Sequence, residues 1–224
     1  MKRWSSLLTP VLELFLESPC PLCDRSTPQV ICRTCEQQVA RCQLPNSHQF
    51  WQPPLPLFAW GEYGGALKRA IASLKYEHHP QMARPLGHRL AHAWIASPMA
   101  TKRLAVVPIP MHPDKQKKRG FNQAELLASA FCEISGLPLQ AQALRRSRST
   151  NAQFGLSKTD REQNLAGAFQ PGGGFSNIQK STSVLLLDDI YTTGATARAA
   201  AQVFQAHNIQ VYGMVAIAKP FYKE

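Results

Sequence analysis

From residue 57 onward, two kinds of apolar run alternate along the chain. Short runs rich in branched and aromatic side chains, near Leu57–Glu62 and at Leu104–Val107, Val184–Leu187 and Val211–Ala218, predict strands. Longer stretches between them repeat apolar residues every three to four positions. They predict helices from about Gly65 to Tyr76, Pro80 to Ala96, Asn122 to Ser135 and Ala195 to His207. Val184-Leu185-Leu186-Leu187 is apolar throughout rather than alternating, as a strand covered on both faces requires. Strands separated by helices pair in parallel, so the expected fold class is α/β, a parallel sheet with helices on both faces. Ligands of such sheets bind beyond the carboxyl ends of the strands, where strand order switches. That places the candidate chemistry in the loops after Val107 and Leu187.

The chain ahead of residue 57 follows other rules. Thr9 and Pro10 read as a helix N-cap and first-turn proline, and Leu8, Val11, Leu12, Phe15 and Leu16 then share one face of a short amphipathic helix. Pro10 and Glu13 break that apolar run, and no small-x-small cleavage site follows, which argues against a signal peptide. No stretch reaches the ~18 apolar residues of a membrane span, so a soluble, cytoplasmic protein is expected. Pro45 through Pro56, with Pro53 and Pro54 between, predicts an extended connector. The domain boundary is placed there, with residues 1–50 as a small module and 51–224 as the principal domain.

The small module holds Cys20, Cys23, Cys32 and Cys35, the spacing C-x2-C-x8-C-x2-C. Two residues between thiolates let both sulfurs of a knuckle reach one ion, and two knuckles complete a tetrahedral zinc shell. Four thiolates leave no open position, so the zinc is read as structural, and it supplies folding energy that so few apolar residues cannot. A pair of disulfides is the alternative, and it requires an oxidising compartment. Cys42 and Cys132 fall outside the pattern, and Cys132 reads as a core residue on a helix.

Charge narrows the class of partner. Twenty-five Lys and Arg against 14 Asp and Glu leave +11 with His neutral, a field that gathers phosphate-bearing ligands and nucleic acids alike. Two places focus it. After the strand ending at Leu187, Asp188-Asp189-Ile190-Tyr191 leads into Thr192-Thr193-Gly194 and a helix opening at Ala195-Thr196. A helix N-terminus offers free N–H groups to a phosphate, Gly194 permits close backbone approach, and the threonines add hydroxyl donors. The paired carboxylates can accept from a vicinal diol or help hold hydrated Mg2+. After the strand ending at Val107, a basic loop carries Lys115, Lys117, Lys118 and Arg119, cations suited to pyrophosphate or a DNA backbone. Arg145, Arg146, Arg148 and Lys158 form a second cationic cluster, with Phe121 and Phe154 as the nearby aromatics.

The string Val184 to Thr196 resembles the 5-phosphoribosyl-1-pyrophosphate (PRPP) signature of type I phosphoribosyltransferases. That resemblance implies ribose contacts by Asp188 and Asp189, a 5′-phosphate cradle from Thr192, Thr193, Gly194, Ala195 and Thr196, and Mg2+ accompanying PRPP. In 6-oxopurine salvage members of that group the position of Thr192 holds an aspartate that accepts a proton. Threonine cannot do so at neutral pH, so purine salvage of that kind is not expected.

A closer resemblance covers nearly the whole chain. Arg119-Gly120-Phe121-Asn122-Gln123-Ala124 with Leu126-Leu127-Ala128 is similar to the signature of the ComF/GntX family, as are Leu74-Lys75-Tyr76, Val107-Pro108-Ile109-Pro110 and the paired cysteines. Thr150, Gln153 and Leu156, followed by Arg161, Asn164 and Gly167-Ala168-Phe169, agree as well. The resemblance implies a type I phosphoribosyltransferase-like domain with a zinc module, and a role in DNA uptake, natural transformation or use of extracellular DNA. Implied partners are PRPP or a related sugar phosphate, single-stranded DNA and proteins of the uptake machinery. Active phosphoribosyl transfer in nucleotide salvage is the alternative function.

Overall fold

The computed structural model describes residues 17–147, 167–178 and 182–221. The amphipathic helix expected near residues 8–16 lies outside them, as do Arg148, Thr150, Gln153, Phe154, Leu156, Lys158, Arg161 and Asn164.

The cysteine region forms a two-stranded ladder, β1 (Ser18–Pro19) with β2 (Ser26–Thr27), followed by helix α1 (Arg33–Ala40). Then come β3 (Leu57–Glu62), α2 (Gly65–Tyr76), a 3-10 turn at Pro80–Met82, α3 (Ala83–Ile95) and β4 (Leu104–Pro108). Helices α4 (Pro113–Arg119) and α5 (Gln123–Ser135) precede a short antiparallel pair, β5 (Leu144–Arg146) with β6 (Phe169–Pro171). The chain ends through β7 (Ser183–Ile190), α6 (Ala195–Gln205) and β8 (Val211–Lys219).

Strands β3, β8, β7 and β4 form one sheet in that order, every neighbour parallel. The side-chain period of two divides each strand between two apolar layers. Phe58, Trp60, Leu104, Val106, Leu185, Leu187, Val215 and Ile217 face a layer built by α2, α3, α5 and the cysteine module. Leu57, Ala59, Val107, Val184, Leu186, Met214 and Ala216 face the other, where α6 and the β5–β6 pair lie. The sheet is thus covered on both faces, as its continuous apolar strands require.

Two details fix the site's frame. Gly87 lets α3 and α5 close together, since a Cβ there would stand 2.6 Å from Ala130 Cβ and 2.8 Å from Leu127 O. The region expected as one helix from Pro80 begins instead as a 3-10 turn, and Pro85 sits in the first turn of α3, where an absent N–H costs no intrahelical bond.

The stretch read as a basic loop is helical. Pro113 occupies its first turn, the His112 Nδ1 accepts from the Asp114 N–H at 3.2 Å, and Gly120 closes it with a left-handed φ of 86°. Proline and glycine punctuated a seven-residue helix here rather than an irregular segment.

Candidate functional site

Strand β7 continues past Leu187, pairing Asp188 with Ala216 and Ile190 with Ala218. The two acids therefore project to opposite sides of the sheet. Asp189 continues the row of Leu185 and Leu187 toward α2 and α5. There it forms an ion pair with Lys75 and accepts a hydrogen bond from Gln123 Nε2 at 3.5 Å. Asp188 turns toward β5, and its Oδ1 accepts from the Asp189 backbone N–H at 2.8 Å.

Their titrations diverge accordingly. Burial raises the Asp188 carboxyl well above its ordinary value, and the neighbouring Asp189 charge pushes the same way. Burial works to raise Asp189 too, but the Lys75 ammonium and the hydrogen-bonding groups of Asp188 and Gln123 together leave that carboxyl below the usual range. Lys75 mirrors this: burial opposes its charge, and the Asp189 carboxylate prevails, holding the ammonium above its ordinary value.

Beyond Ile190 the chain turns through Tyr191 to Gly194 into α6. Gly194 has φ 76°, the left-handed conformation that favours glycine, and a Cβ on it would have to move the Tyr191 ring, whose hydroxyl stands 2.1 Å away. The Thr193 Oγ1 accepts from the Ala195 N–H at 3.5 Å, and Arg198 Nη1 donates to the Thr193 carbonyl at 3.0 Å. Among the described residues, no protein acceptor meets the N–H groups of Thr192, Thr193, Gly194 and Thr196. A turn that presents unsatisfied amides at a helix N-terminus, on the carboxyl side of a parallel sheet, suits an anion.

The motif Arg119 to Gln123 carries a distinct geometric task at each position. Gly120 ends α4, and Phe121 packs against the larger apolar layer. Buried Asn122 caps α5 by accepting from the Ala124 N–H at 3.2 Å and donates Nδ2 to the Ile109 carbonyl at 3.2 Å. This ties the start of α5 to the strand-end loop after β4. Arg119 Nη1 donates to Gln123 Oε1 at 2.5 Å, and Gln123 reaches Asp189, so the cation and the acid are joined through one amide.

These groups surround a cavity of about 190 Å3 lined by Lys75, Ile109, Pro110, Met111, Lys115, Arg119, Gln123, Arg146, Asp188, Asp189 and Thr196. Of the four cations predicted on the basic segment, Lys115 and Arg119 face it. Lys118 lines a neighbouring cavity with Tyr76 and His78, and Lys117 lines neither. Helical spacing explains the division, because positions 115, 118 and 119 share a face that position 117 does not. Thr192 is exposed, and Thr193 lies half-buried in the turn.

The predicted second cationic cluster separates as well. Arg146 turns into the cavity beside Asp188, while Arg145 bonds outward to Gln170 Oε1 at 2.8 Å and the Pro171 carbonyl at 3.2 Å. Strand alternation sends the two arginines to opposite sides. Lys75, Gln123 and Tyr76 received no role from sequence reasoning. Lys75 lies four residues after buried Ile71 on an apolar helix face, a misplaced charge that asks for a buried partner.

In the cysteine module, the sulfurs of Cys20, Cys23, Cys32 and Cys35 all lie within 4.8 Å of one another, an arrangement that could hold a metal ion. Cys23 and Cys32 sulfurs are 3.5 Å apart. Cys32 is lowered to about 7, chiefly by the Cys35 backbone N–H, while burial raises Cys35. Cys132, packed against the larger layer, is raised by burial to about 12, as befits an inert core thiol.

No protein-family model matches the chain. A solved adenine phosphoribosyltransferase from Leishmania donovani aligns over 84% of this chain and 68% of its own, at 16% identity and a TM-score of 0.39, too loose a likeness to rest on. Among the described residues no helix is long and apolar enough to cross a membrane. Sequence relatives are more informative. The DNA utilization protein YhgH of Escherichia coli K12 is 27% identical over 192 residues, 82% of each chain. Competence protein ComFC of Bacillus subtilis is 27% identical over 187 residues, 82% of this chain and 70% of its own. Competence protein F of Haemophilus influenzae is 30% identical over 161 residues, 69% of each chain, and with that match the chain belongs to the ComF/GntX, or competence protein F, family.

Proposed function

We propose that this chain is a ComF-type protein that binds PRPP or a related sugar phosphate at the mouth of β7 and acts in the uptake or use of DNA. The carrying observation is the turn from Thr192 to Thr196, in which the amides of Thr192, Thr193, Gly194 and Thr196 have no acceptor among the described residues and the central Gly194 holds a left-handed φ of 76°. The 5′-phosphate fits against those amides and the threonine hydroxyls. Asp188 and Asp189 lie beside it as acceptors for the ribose diol, and Lys115 and Arg119 face the same cavity with charge for the pyrophosphate. The two carboxylates also present the hard oxygen donors that Mg2+ prefers, and the metal would neutralise the pyrophosphate. The chain's own part is placement: a fixed turn for phosphate, a buried acid for sugar, and a helix face for the leaving charge.

The four convergent thiols are read as a structural zinc site. Bonds of about 2.3 Å at tetrahedral angles set sulfurs about 3.8 Å apart, which suits the observed cluster. All four ligands are protein groups, which leaves no position for catalysis.

Binding of single-stranded DNA is the second half of the reading, supported by the exposed Lys115, Lys117 and Lys118 on α4 and by the net charge. The test of the sugar phosphate reading is a thermal-shift comparison of Mg2+ with PRPP, ribose 5-phosphate or pyrophosphate. PRPP should stabilise most, because it fills both the turn and the cationic wall. Equal stabilisation by pyrophosphate alone would remove the turn from the account. Steady pyrophosphate release from PRPP in the presence of nucleobases, lost in Asp188→Asn, would add catalysis to binding.

A further inference from the structure

A second cavity, of about 300 Å3, adjoins the first and shares Lys75, Lys115 and Arg119 with it; Tyr76, His78 and Lys118 complete its lining. Tyr76 is its aromatic wall and is 71% exposed, more than any other large apolar side chain among the described residues. An aromatic ring left so far in water forgoes the burial that usually places it. Here the ring is held where it stands. It ends α2 directly after Lys75, whose ammonium is committed to buried Asp189, and the Arg119 guanidinium lies 5.3 Å from its centroid.

Helix α4 adds cations around the ring, since Lys115, Lys118 and Arg119 share one of its faces. An exposed aromatic ring set among flexible cations is the arrangement that receives a polynucleotide strand. The π-face stacks any base, and the ammonium groups follow the phosphates. A neutral free base would use the ring and leave the lysines idle, whereas a strand uses both.

We propose that this cavity is a nucleotide position for single-stranded DNA, with one base stacked on Tyr76 and its flanking phosphates on Lys115 and Lys118. The proposal rests on the DNA-handling half of the reading above and does not need the PRPP half, although the two cavities share Lys115. It assigns Tyr76 a binding role and places the strand beside, not within, the sugar phosphate turn.

The test measures binding of the full chain to labelled oligothymidylate and to an abasic strand of equal length and charge. It uses the unaltered protein, Tyr76→Ala and Tyr76→Phe, with PRPP titrated into each. Tyr76→Ala should weaken oligothymidylate about tenfold, the scale of one stacked base, and leave the abasic strand and PRPP unchanged. Tyr76→Phe should retain oligothymidylate binding, because the ring does the stacking. Because Tyr76 is exposed, its truncation opens no core cavity, and an unchanged melting temperature controls for folding. The proposal is overturned by equal affinity of the unaltered protein for the two strands, by equal loss of both in Tyr76→Ala, or by no binding of either strand. Failure of PRPP alone would remove the sugar phosphate reading and leave the stacking position standing.

Discussion

The Lys75 ammonium meets the Asp189 carboxylate where only 15% and 4% of the two side chains reach solvent. Helix α2 delivers the cation and strand β7 the acid, so the pair fastens a helix to the strand end that carries the site. Removing the cation leaves a buried carboxylate held, among the described residues, by the weak Gln123 hydrogen bond at 3.5 Å and its neighbour Asp188. Lys75→Met should therefore cost about 3 kcal/mol in equilibrium denaturation, as broken buried pairs do. The sign with pH follows from both partners. The lowered Asp189 carboxyl contributes above its ordinary 3.8, and that contribution is lost as pH falls through its folded value. The raised Lys75 ammonium contributes up to its ordinary 10.5, and that is lost as pH rises through its folded value. In Lys75→Met burial acts on Asp189 without the ammonium to offset it, so the deficit of the variant should be full at mildly alkaline pH and shrink as pH falls through the raised Asp189 value, and shrink again above the folded Lys75 value. A deficit that did not shrink toward acid pH would contradict the pairing.

Asp188 behaves oppositely. Its carboxyl is raised by burial and by Asp189, so the fold disfavours the ionised form. Below the ordinary 3.8 both folded and unfolded chains hold the proton and no penalty arises; as pH rises toward the folded value the penalty grows, and above that it is complete. Asp188→Asn should raise the denaturation midpoint near neutral pH, with less effect near pH 4. It should also weaken PRPP about tenfold or more, the scale of a hydrogen bond to a charged group. A variant that is both more stable and a poorer binder marks a site kept at a cost to the fold. Denaturation curves at the two pH values and one titration check it.

Much of this frame was legible because the strands are buried on both faces and the helices keep a strict period. Val184 to Leu187 and the helix from Ala195 could be placed from apolarity alone. What was not legible depends on contacts distant in sequence. Nothing near Asp189 announces Lys75, more than one hundred residues earlier, and nothing in a run of lysines shows that Lys117 turns away while Lys115 turns in. Residues 113–119 are dense in charge but carry a proline and a glycine at their ends, and those two residues, not the charge, decide that the segment is helical. In the sequence Tyr76 is only the end of an amphipathic helix, since its exposure is a property of the folded surface.

That division on α4 is itself testable. Lys115→Ala should weaken inhibition of PRPP binding by free pyrophosphate several-fold, the loss expected of one charged contact, while Lys117→Ala should leave it unchanged. Competition titrations on the two variants give the comparison, and equal effects would mean that the cations act only through their summed field.

The cysteine module offers a fourth check. Ile31, Cys32, Cys35 and Val39 share an apolar layer with Phe58, Trp60 and Ile71, so loss of the ion should disturb the sheet's cover as well as the module. Elemental analysis should find one zinc per chain, and Cys35→Ser should reduce it. The same substitution should lower the melting temperature by about 5 °C or more, since 1 kcal/mol moves a chain of this size by about 2–4 °C. Full stability after chelation would contradict a structural role.

The claim that the Thr192–Thr196 turn receives a sugar phosphate is tested most directly by calorimetric titration of Mg2+ and PRPP into the unaltered protein and Gly194→Ala. A methyl group at position 194 must displace Tyr191 and strain a φ of 76°. The account predicts saturable one-to-one binding by the unaltered chain and loss of about a hundredfold or more in the variant, with the fold retained. Undiminished affinity in Gly194→Ala, or no binding by the unaltered protein, would contradict it.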